Sequence, residues 1–338
     1  AFVEATGIPV GTSQAGGGSL VWDHPQYLGG VGATGTAAAN AIAAQADVVI
    51  GIGTRYSDFT TASRTAFQNP DVTFVNVNVA AFDAYKHGSQ LPLIADAREA
   101  LVALTESLTS DTAYVVEPGY ASEIASLKAA WDAAVDGAFA PSGADLPGQP
   151  EIIGAVQSVS DPRDVVIQAA GSLPGDLHKL WRVRDELGYH VEYAFSCMGY
   201  EIAGGIGVRR GAPDRDAIVM VGDGSYLMLH TELVTAVAEG IKIIVVLIQN
   251  HGYASIGHLS ETVGSERFGT KYRYLDETES FENGEPLPVD LAANARSYGV
   301  DVIEVQPGPD SIEDLKAALR QAKANDHTTL VHINSDPL

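Results

Sequence analysis

Residues 217–250 read AIVMVGDGSYLMLHTELVTAVAEGIKIIVVLIQN. The two continuous apolar runs in this stretch, residues 217–221 and 242–248, are typical of strands that are buried on both faces of a parallel sheet. Residues 226–239, which lie between them, show helical periodicity. The order of strand, helix and strand predicts a parallel unit, with a Gly-Asp-Gly turn at positions 222–224 directly after its first strand.

The same alternation runs along the whole chain and predicts an α/β fold of two domains, each a parallel sheet with helices on both faces. Further strands are expected at residues 8–12, 47–53, 73–79, 91–95, 164–169, 299–305 and 329–333. Further helices are expected at residues 36–45, 97–108, 122–139 and 312–323. The Pro- and Gly-rich residues 140–150 are expected to link a domain at 1–139 to a domain at 151–338.

The composition is that of a globular protein: 46% of the 338 residues are hydrophobic and 19% are charged. The formal net charge of −23 disfavours nucleic acid and anionic membranes as partners. No apolar stretch reaches the length of a membrane span, and no signal peptide is visible. The single cysteine, Cys197, excludes an internal disulfide framework and indicates a reducing, cytoplasmic setting. Cys197 itself is interpreted as a buried small residue.

Asp223 and Asn250 are candidates for a metal site. Asp223 follows one predicted strand, and Asn250 follows the next strand along the chain, 27 positions later. Because parallel strands of one αβ unit end at the same edge of the sheet, both side chains are expected there. A carboxylate and an amide oxygen suit Mg²⁺ or Ca²⁺. The N–H groups of Gly224 and Ser225 are expected to face an anion at the start of the following helix.

This spacing, with an apolar strand that ends in Asn, resembles the thiamine diphosphate-binding motif of the acetolactate synthase and pyruvate decarboxylase superfamily. The resemblance implies thiamine diphosphate as the cofactor, with Mg²⁺ held by Asp223, Asn250 and the carbonyl group of Gly252. It also implies that Gly222 and Gly224 let the diphosphate approach the backbone closely.

Three more segments resemble the same superfamily. The segment FSCMGY, residues 195–200, resembles the part that holds the aminopyrimidine ring; Ser196 and Met198 would offer backbone groups, and Met198 would wedge beneath the cofactor. The alternative is that Met198 only fills the core. The segments AGSLPGDL and NHGYASI begin at residues 170 and 250. They imply diphosphate contacts near Gly171, Ser172, Leu173, Tyr253 and Ala254.

Within the superfamily, the chain resembles the trihydroxycyclohexane-1,2-dione hydrolases of inositol catabolism at residues 22–25, 53–67, 76–88, 196–207 and 249–260. That resemblance implies a hydrolase that cleaves a C–C bond of a cyclic 1,2-diketone to give 5-deoxyglucuronate. It also implies a homodimer or homotetramer for the intact enzyme. The alternatives are a 2-oxo acid carboligase or decarboxylase, a non-catalytic pair of cofactor-binding domains, and a NAD- or FAD-dependent oxidoreductase.

The sequence GVGATG at residues 30–35 matches the dinucleotide-binding pattern G-x-G-x-x-G. Such a site requires a strand directly before the motif and an acidic residue about 20 positions after it. Here a loop is predicted at residues 22–25 and the next strand only at residue 47, so the motif is interpreted as a loop-to-helix turn. Nucleotide binding by this domain stays an open alternative.

In the resembled superfamily, the glutamate that activates the pyrimidine lies in an N-terminal domain of a neighbouring subunit. No glutamate of this chain can be assigned that role, so the catalytic residue is unknown. We expect the chain to hold only the central and C-terminal domains, and to bind the cofactor weakly without turnover. His251 and His258 flank the expected site and are either proton carriers or ordinary histidines. Residues 260–288 are expected to form a loop or lid.

Overall fold

The computed structural model describes residues 1–111, 113–193, 195–278, 281 and 283–336. The chain divides into two compact units, Ala1–Asp136 and Gly137–Leu338. Each unit contains parallel strands connected by helices, which confirms the predicted two-domain α/β fold. Within the described residues, no helix combines the length and the apolar character needed to cross a bilayer.

The first unit contains a parallel pair of strands, β1–β2, and a parallel sheet of order β3-β4-β5. Its strands are β1 Val10–Thr12, β2 Tyr27–Gly30, β3 Val48–Ile52, β4 Thr73–Asn78 and β5 Leu91–Ile94. Its helices are α1 Phe2–Thr6, α2 Ala37–Gln45, α3 Asp58–Thr61, α4 Ala81–Ala84 and α5 Ala97–Glu106. Helix α6, Pro118–Phe139, begins in this unit and ends three residues past its boundary at Asp136.

The described part of the second unit forms a six-stranded parallel sheet of order β10-β11-β9-β8-β6-β7. The strands are β6 Val165–Gln168, β7 Tyr189–Val191, β8 Ala217–Gly222, β9 Ile244–Gln249, β10 Asp301–Val305 and β11 Thr329–Asn334. The helices are α7 Gln149–Val159, α8 Leu173–Leu180, α9 Tyr200–Gly211, α10 Asp223–Met228, α11 Glu232–Ala238, α12 Ala254–Thr262, α13 Leu291–Ser297 and α14 Ser311–Ala324.

The core of the second unit is built on β8 and β9, which lie in the middle of the sheet. Val219, Val245 and Leu247 are fully buried there, and full burial of such side chains stabilises the fold by about 1.5–3 kcal/mol each. Gly222 pairs with Ile248, so the two strands end side by side. This register places the turns that contain Asp223 and Asn250 next to each other.

The glycine-rich motif at residues 30–35 differs from its prediction. The loop predicted at residues 22–25 is present, but the unpredicted strand β2 lies between it and the motif; this strand is short and its sequence, YLGG, has little strand character. Thr36 caps α2 by accepting a hydrogen bond from the Ala39 amide. A Cβ atom on Gly32 would lie 2.0 Å from the carbonyl oxygen of Phe59. The chain's own backbone therefore occupies the close approach that a dinucleotide phosphate would need.

Two helices also differ from the sequence prediction. Helix α7 begins at Gln149, so residues 149 and 150 of the predicted linker are helical; the Glu151 side chain accepts a hydrogen bond from the amide of the N-cap residue Gly148. The single helix predicted at residues 226–239 is two helices, α10 and α11, because Leu229 leaves the helical region with φ −155°. Part of the predicted loop at 260–288 belongs to α12, and residues 279, 280 and 282 lie outside the described residues.

Candidate functional site

Asp223 joins the turns that follow β8 and β9. Its side chain is 1% exposed. Its Oδ1 accepts a hydrogen bond from the Gly224 amide at 2.9 Å, and its Oδ2 accepts from the Gly252 amide at 3.1 Å. The structure thus brings together the predicted metal ligands Asp223 and Gly252. It corrects the prediction for Gly224, whose N–H group was expected to face an anion but is taken by the neighbouring carboxylate.

Burial raises the pKa of Asp223 to about 6, although backbone hydrogen bonds from Gly252, Gly224 and His251 act in the opposite direction. An ionised carboxylate in such a place is costly unless an opposite charge lies nearby. Among the described residues, Oδ1 of Asn250 is buried and has no hydrogen-bond partner. A buried acceptor without a donor, in the turn next to the one that contains a buried carboxylate, fits a hard cation.

Gly224 lies between two side chains that the sequence had assigned to the cofactor. A Cβ atom on Gly224 would lie 2.7 Å from Cδ1 of Tyr253 and 3.5 Å from Cε of Met198. Tyr253 in turn makes an edge contact with Tyr272, with 5.7 Å between ring centroids. Only glycine fits at position 224 without displacing the Tyr253 ring. At Gly222, by contrast, an added Cβ atom would meet no atom within 4 Å.

The turn before α9 contains the predicted residues Ser196 and Met198. Ser196 and Gly199 have positive φ values of 50° and 94°, and Glu192 holds the turn by accepting from the Cys197 amide at 2.7 Å. Ser196 and Met198 are exposed, so Met198 does not fill the core. Cys197 is also exposed. The prediction of a buried cysteine was wrong, because this turn projects from the unit rather than packing inside it.

The loop between β6 and α8 contains Gly171 and Ser172, and Leu173 begins α8. Gly171 has φ +90° and open space around it. The Ser172 hydroxyl donates to Oε1 of Gln149 at 2.9 Å, and the Leu173 side chain is buried. The side chains of Ser172 and Leu173 are therefore engaged, and the predicted ligand contacts of this segment stay a prediction for its backbone groups.

Residues after β9 complete the site. The Tyr253 amide donates to the carbonyl oxygen of Thr270 at 2.7 Å, and Ala254 begins α12. His251 has φ +64°, and its Nε2 is buried without a partner among the described residues. His258 is exposed. Only His251 is thus held within the site, beside the Asp223 carboxylate.

Glu201 is a residue of the site that the sequence analysis missed. It lies in the first turn of α9 and is 1% exposed. Its Oε1 accepts from the Ser225 hydroxyl at 2.6 Å, and its Oε2 accepts from the Gly199 amide at 3.0 Å. Burial raises its pKa. The sequence did carry a signal for Glu201, because it is the single acidic residue within the small and apolar run MGYEIAGGIG. A carboxylate in such a run is expected to be buried, and buried carboxylates are rarely without donors.

Two family models match the chain. "Thiamine pyrophosphate enzyme, C-terminal TPP binding domain" matches residues 169–333, which contain Asp223, Asn250 and Glu201. "Thiamine pyrophosphate enzyme, central domain" matches residues 1–104. Together the two models cover most of the chain, in the order in which its two units occur.

Curated relatives extend the match to nearly the whole chain. The 3D-(3,5/4)-trihydroxycyclohexane-1,2-dione hydrolase 2 of Bacillus cereus is 42% identical over 361 aligned residues, which cover 99% of this chain and 55% of that relative. Hydrolases of the same kind from Bacillus anthracis and Bacillus thuringiensis are 41% and 40% identical with the same coverage. The chain therefore spans about half the length of these relatives. It belongs to the thiamine pyrophosphate enzymes and contains their central domain and their C-terminal cofactor-binding domain.

Proposed function

We propose that the chain supplies the diphosphate- and metal-binding half of an enzyme that hydrolyses a C–C bond of 3D-(3,5/4)-trihydroxycyclohexane-1,2-dione. The observation that carries the cofactor assignment is that two adjacent strand ends lead to the buried Asp223 carboxylate and to the unpartnered Oδ1 of Asn250. The substrate assignment is supported by relatives of that name at 40–42% identity. The product would be 5-deoxyglucuronate, and the pathway inositol catabolism.

Mg²⁺ would be held by Asp223, Asn250 and the carbonyl oxygen of Gly252. This donor set consists of oxygen atoms, which Mg²⁺ prefers, and leaves positions for diphosphate oxygens and water. In the described residues, no group of three His, Cys, Asp or Glu side chains could hold a metal ion. One carboxylate, one amide and one carbonyl therefore make up the proposed metal site.

Thiamine diphosphate, when bound, supplies an electron sink that stabilises carbanions. Backbone groups of the Gly171–Leu173 loop, of Gly222 and of Ser225 would receive its diphosphate, since the side chains of Ser172, Leu173 and Ser225 are engaged or buried. Tyr253 and Ala254 would lie beside the phosphates. Ser196 and Met198 are exposed residues, and their backbone groups would face the pyrimidine ring.

The other half of the catalyst is proposed to lie outside these 338 residues, because the matched relatives are nearly twice as long. It would contain the glutamate that activates the pyrimidine, supplied by a second subunit of a homodimer or homotetramer. The intact enzyme would act on a small molecule in the cytoplasm. Its metal would be Mg²⁺ rather than a transition metal.

Isothermal titration calorimetry tests the cofactor half of the proposal. The 338-residue chain should bind thiamine diphosphate only with Mg²⁺ present, and Asp223→Ala should abolish binding. Asp214→Ala is the matched control, because Asp214 is an exposed carboxylate near the opposite end of β8. Equal binding by wild type and Asp223→Ala would refute the proposed metal site.

The reaction is tested with the full-length enzyme, supplied either with the cyclic diketone or with a 2-oxo acid. We expect hydrolysis of the cyclic diketone and no carbon dioxide release from pyruvate or glyoxylate. Carbon dioxide release from either 2-oxo acid would show that the enzyme is a decarboxylase or carboligase instead of the proposed hydrolase. Full turnover by the 338-residue chain alone would refute the division of the site between chains.

A further inference from the structure

Glu201 contacts three separate segments of the proposed cofactor site. Besides Ser225 and Gly199, it accepts a hydrogen bond from the Ala170 amide at 3.4 Å. Ala170 precedes the Gly171–Leu173 loop, Gly199 ends the turn that contains Ser196 and Met198, and Ser225 follows Asp223 by two positions. One carboxylate therefore connects the loop after β6, the turn before α9 and the first turn of α10.

Hydrogen bonds among Glu201, Gly199 and Ser225 form a closed ring. The Gly199 amide donates both to Oε2 of Glu201 and to the Ser225 hydroxyl, at 3.0 and 2.9 Å, and Ser225 donates onward to Oε1. Each of these partners of the carboxylate is an N–H or O–H donor, which suits an ionised acceptor at a helix N-terminus. A carboxylate that is buried among donors from three loops fixes the spacing between those loops.

We propose that Glu201 is a positioning residue that sets the three cofactor-binding segments in register with one another. This inference rests on the proposed cofactor site and adds to it a residue that does not itself touch the cofactor. Each segment connected by Glu201 would present backbone groups to a different part of thiamine diphosphate. Loss of the carboxylate would let these backbone groups move apart, although Asp223, Asn250 and Gly252 would all remain.

Glu201→Gln is the informative variant because it keeps the shape of the side chain. An NH₂ group of the glutamine at the position of Oε1 would face the Ala170 N–H group. An NH₂ group at the position of Oε2 would face the Gly199 N–H group. The Ser225 hydroxyl can rotate and accept instead, but a backbone amide cannot reverse its role. At least one segment is therefore released in this variant.

Calorimetric titration of the 338-residue chain with thiamine diphosphate and Mg²⁺ measures the effect. We expect Glu201→Gln to raise the Kd about 10- to 100-fold, the range for residues that orient a binding site from behind. Hydrogen exchange should increase at residues 170–173 and 196–199 and remain unchanged in the strands. Asp164→Asn is the matched control: Asp164 is a buried carboxylate at the opposite edge of the sheet, paired with Lys323.

The Asp164→Asn control should lower thermal stability without changing the Kd or the exchange of the two loops. A Kd of Glu201→Gln within about twofold of wild type would overturn the positioning role. The role would also be overturned if Glu201→Gln and Asp164→Asn weakened cofactor binding equally and raised hydrogen exchange throughout the second unit. If wild type does not bind the cofactor, the proposed function and this role both fail. If Glu201→Gln does not fold, Ser225→Ala removes one of the three connections and must raise the Kd severalfold; an unchanged Kd would overturn the role.

Discussion

Asp223→Asn should stabilise the chain in the absence of divalent cations and remove its stabilisation by Mg²⁺ and thiamine diphosphate. The Asp223 side chain is 1% exposed, and burial raises its pKa from 3.8 to about 6. A raised carboxyl pKa means that folding favours the protonated form. The stability that the protonated Asp223 carboxyl contributes is therefore fully present below pH 3.8 and is lost as the pH rises through about 6.

The magnitude follows from the size of the shift. About two pKa units correspond to about 3 kcal/mol that ionisation of Asp223 costs the folded state at pH 7. An asparagine avoids this cost, but its NH₂ group would face an amide of Gly224 or Gly252, a mismatch worth about 1–3 kcal/mol. Without divalent cations, the free energy of unfolding of Asp223→Asn should therefore exceed that of wild type by about 0–2 kcal/mol at pH 7. The electrostatic part should fall to roughly half at pH 5.

Differential scanning calorimetry of chelator-treated protein measures this gain. For a unit of about 200 residues, 2 kcal/mol corresponds to a Tm increase of about 4–8 °C. Excess Mg²⁺ and thiamine diphosphate at about 100 times the Kd should add about 2.7 kcal/mol to wild type and nothing to Asp223→Asn. Asp214→Asn, at an exposed site, should behave as wild type. The reasoning would be refuted if metal-free Asp223→Asn were clearly less stable than wild type. It would also be refuted if Mg²⁺ and thiamine diphosphate raised the Tm of both proteins equally.

Further predictions concern packing, pH and the core. Gly252→Ala would place a Cβ atom 2.2 Å from the carbonyl oxygen of Thr270, so calorimetry should show a lower Tm and weaker cofactor binding; unchanged values would contradict the packing. Burial lowers the pKa of His332. Its contribution to stability is present above pH 6.5 and is lost as the pH falls through the lower folded pKa. The Tm should thus fall less between pH about 7.5 and about 5.5 in His332→Asn than in wild type, and parallel curves would exclude this residue as the cause. Leu247→Ala should lower the free energy of unfolding by about 2–5 kcal/mol in urea yet leave the Kd for the cofactor within about twofold; a large loss of affinity would show that the site depends on the core beneath it.

The central αβ unit was predictable because its signals are local and strong. The apolar runs at 217–221 and 242–248 correspond to β8 and β9 within two residues. The proximity of Asp223 and Asn250 follows from the topology, since parallel strands joined by one helix end at the same edge. The short strand β2 was missed because four residues that include two glycines carry too little pattern.

The hydrogen-bond partners within the site were not predictable, because they depend on contacts between distant segments. The Tyr253 amide donates to Thr270 across an antiparallel bridge between Gly252 and Lys271. The Gly224 amide turns to its neighbour Asp223 rather than outward. Neither contact leaves a periodic pattern in the sequence, so the motif identified the segments and not the direction of each N–H group.

Asp223 and Glu201 show how one feature, a carboxylate that is 1% exposed, leads to two different roles. Glu201 accepts hydrogen bonds from a hydroxyl and two amides of three segments, so its charge is matched by donors of the fold itself. Asp223 also accepts from amides, but Asn250, in the turn after the neighbouring strand, has a buried Oδ1 that no described residue satisfies. Two acceptors cannot satisfy each other, and a cation satisfies both. The available donors, rather than burial alone, thus support the proposals that Asp223 binds the metal and that Glu201 positions the segments around it.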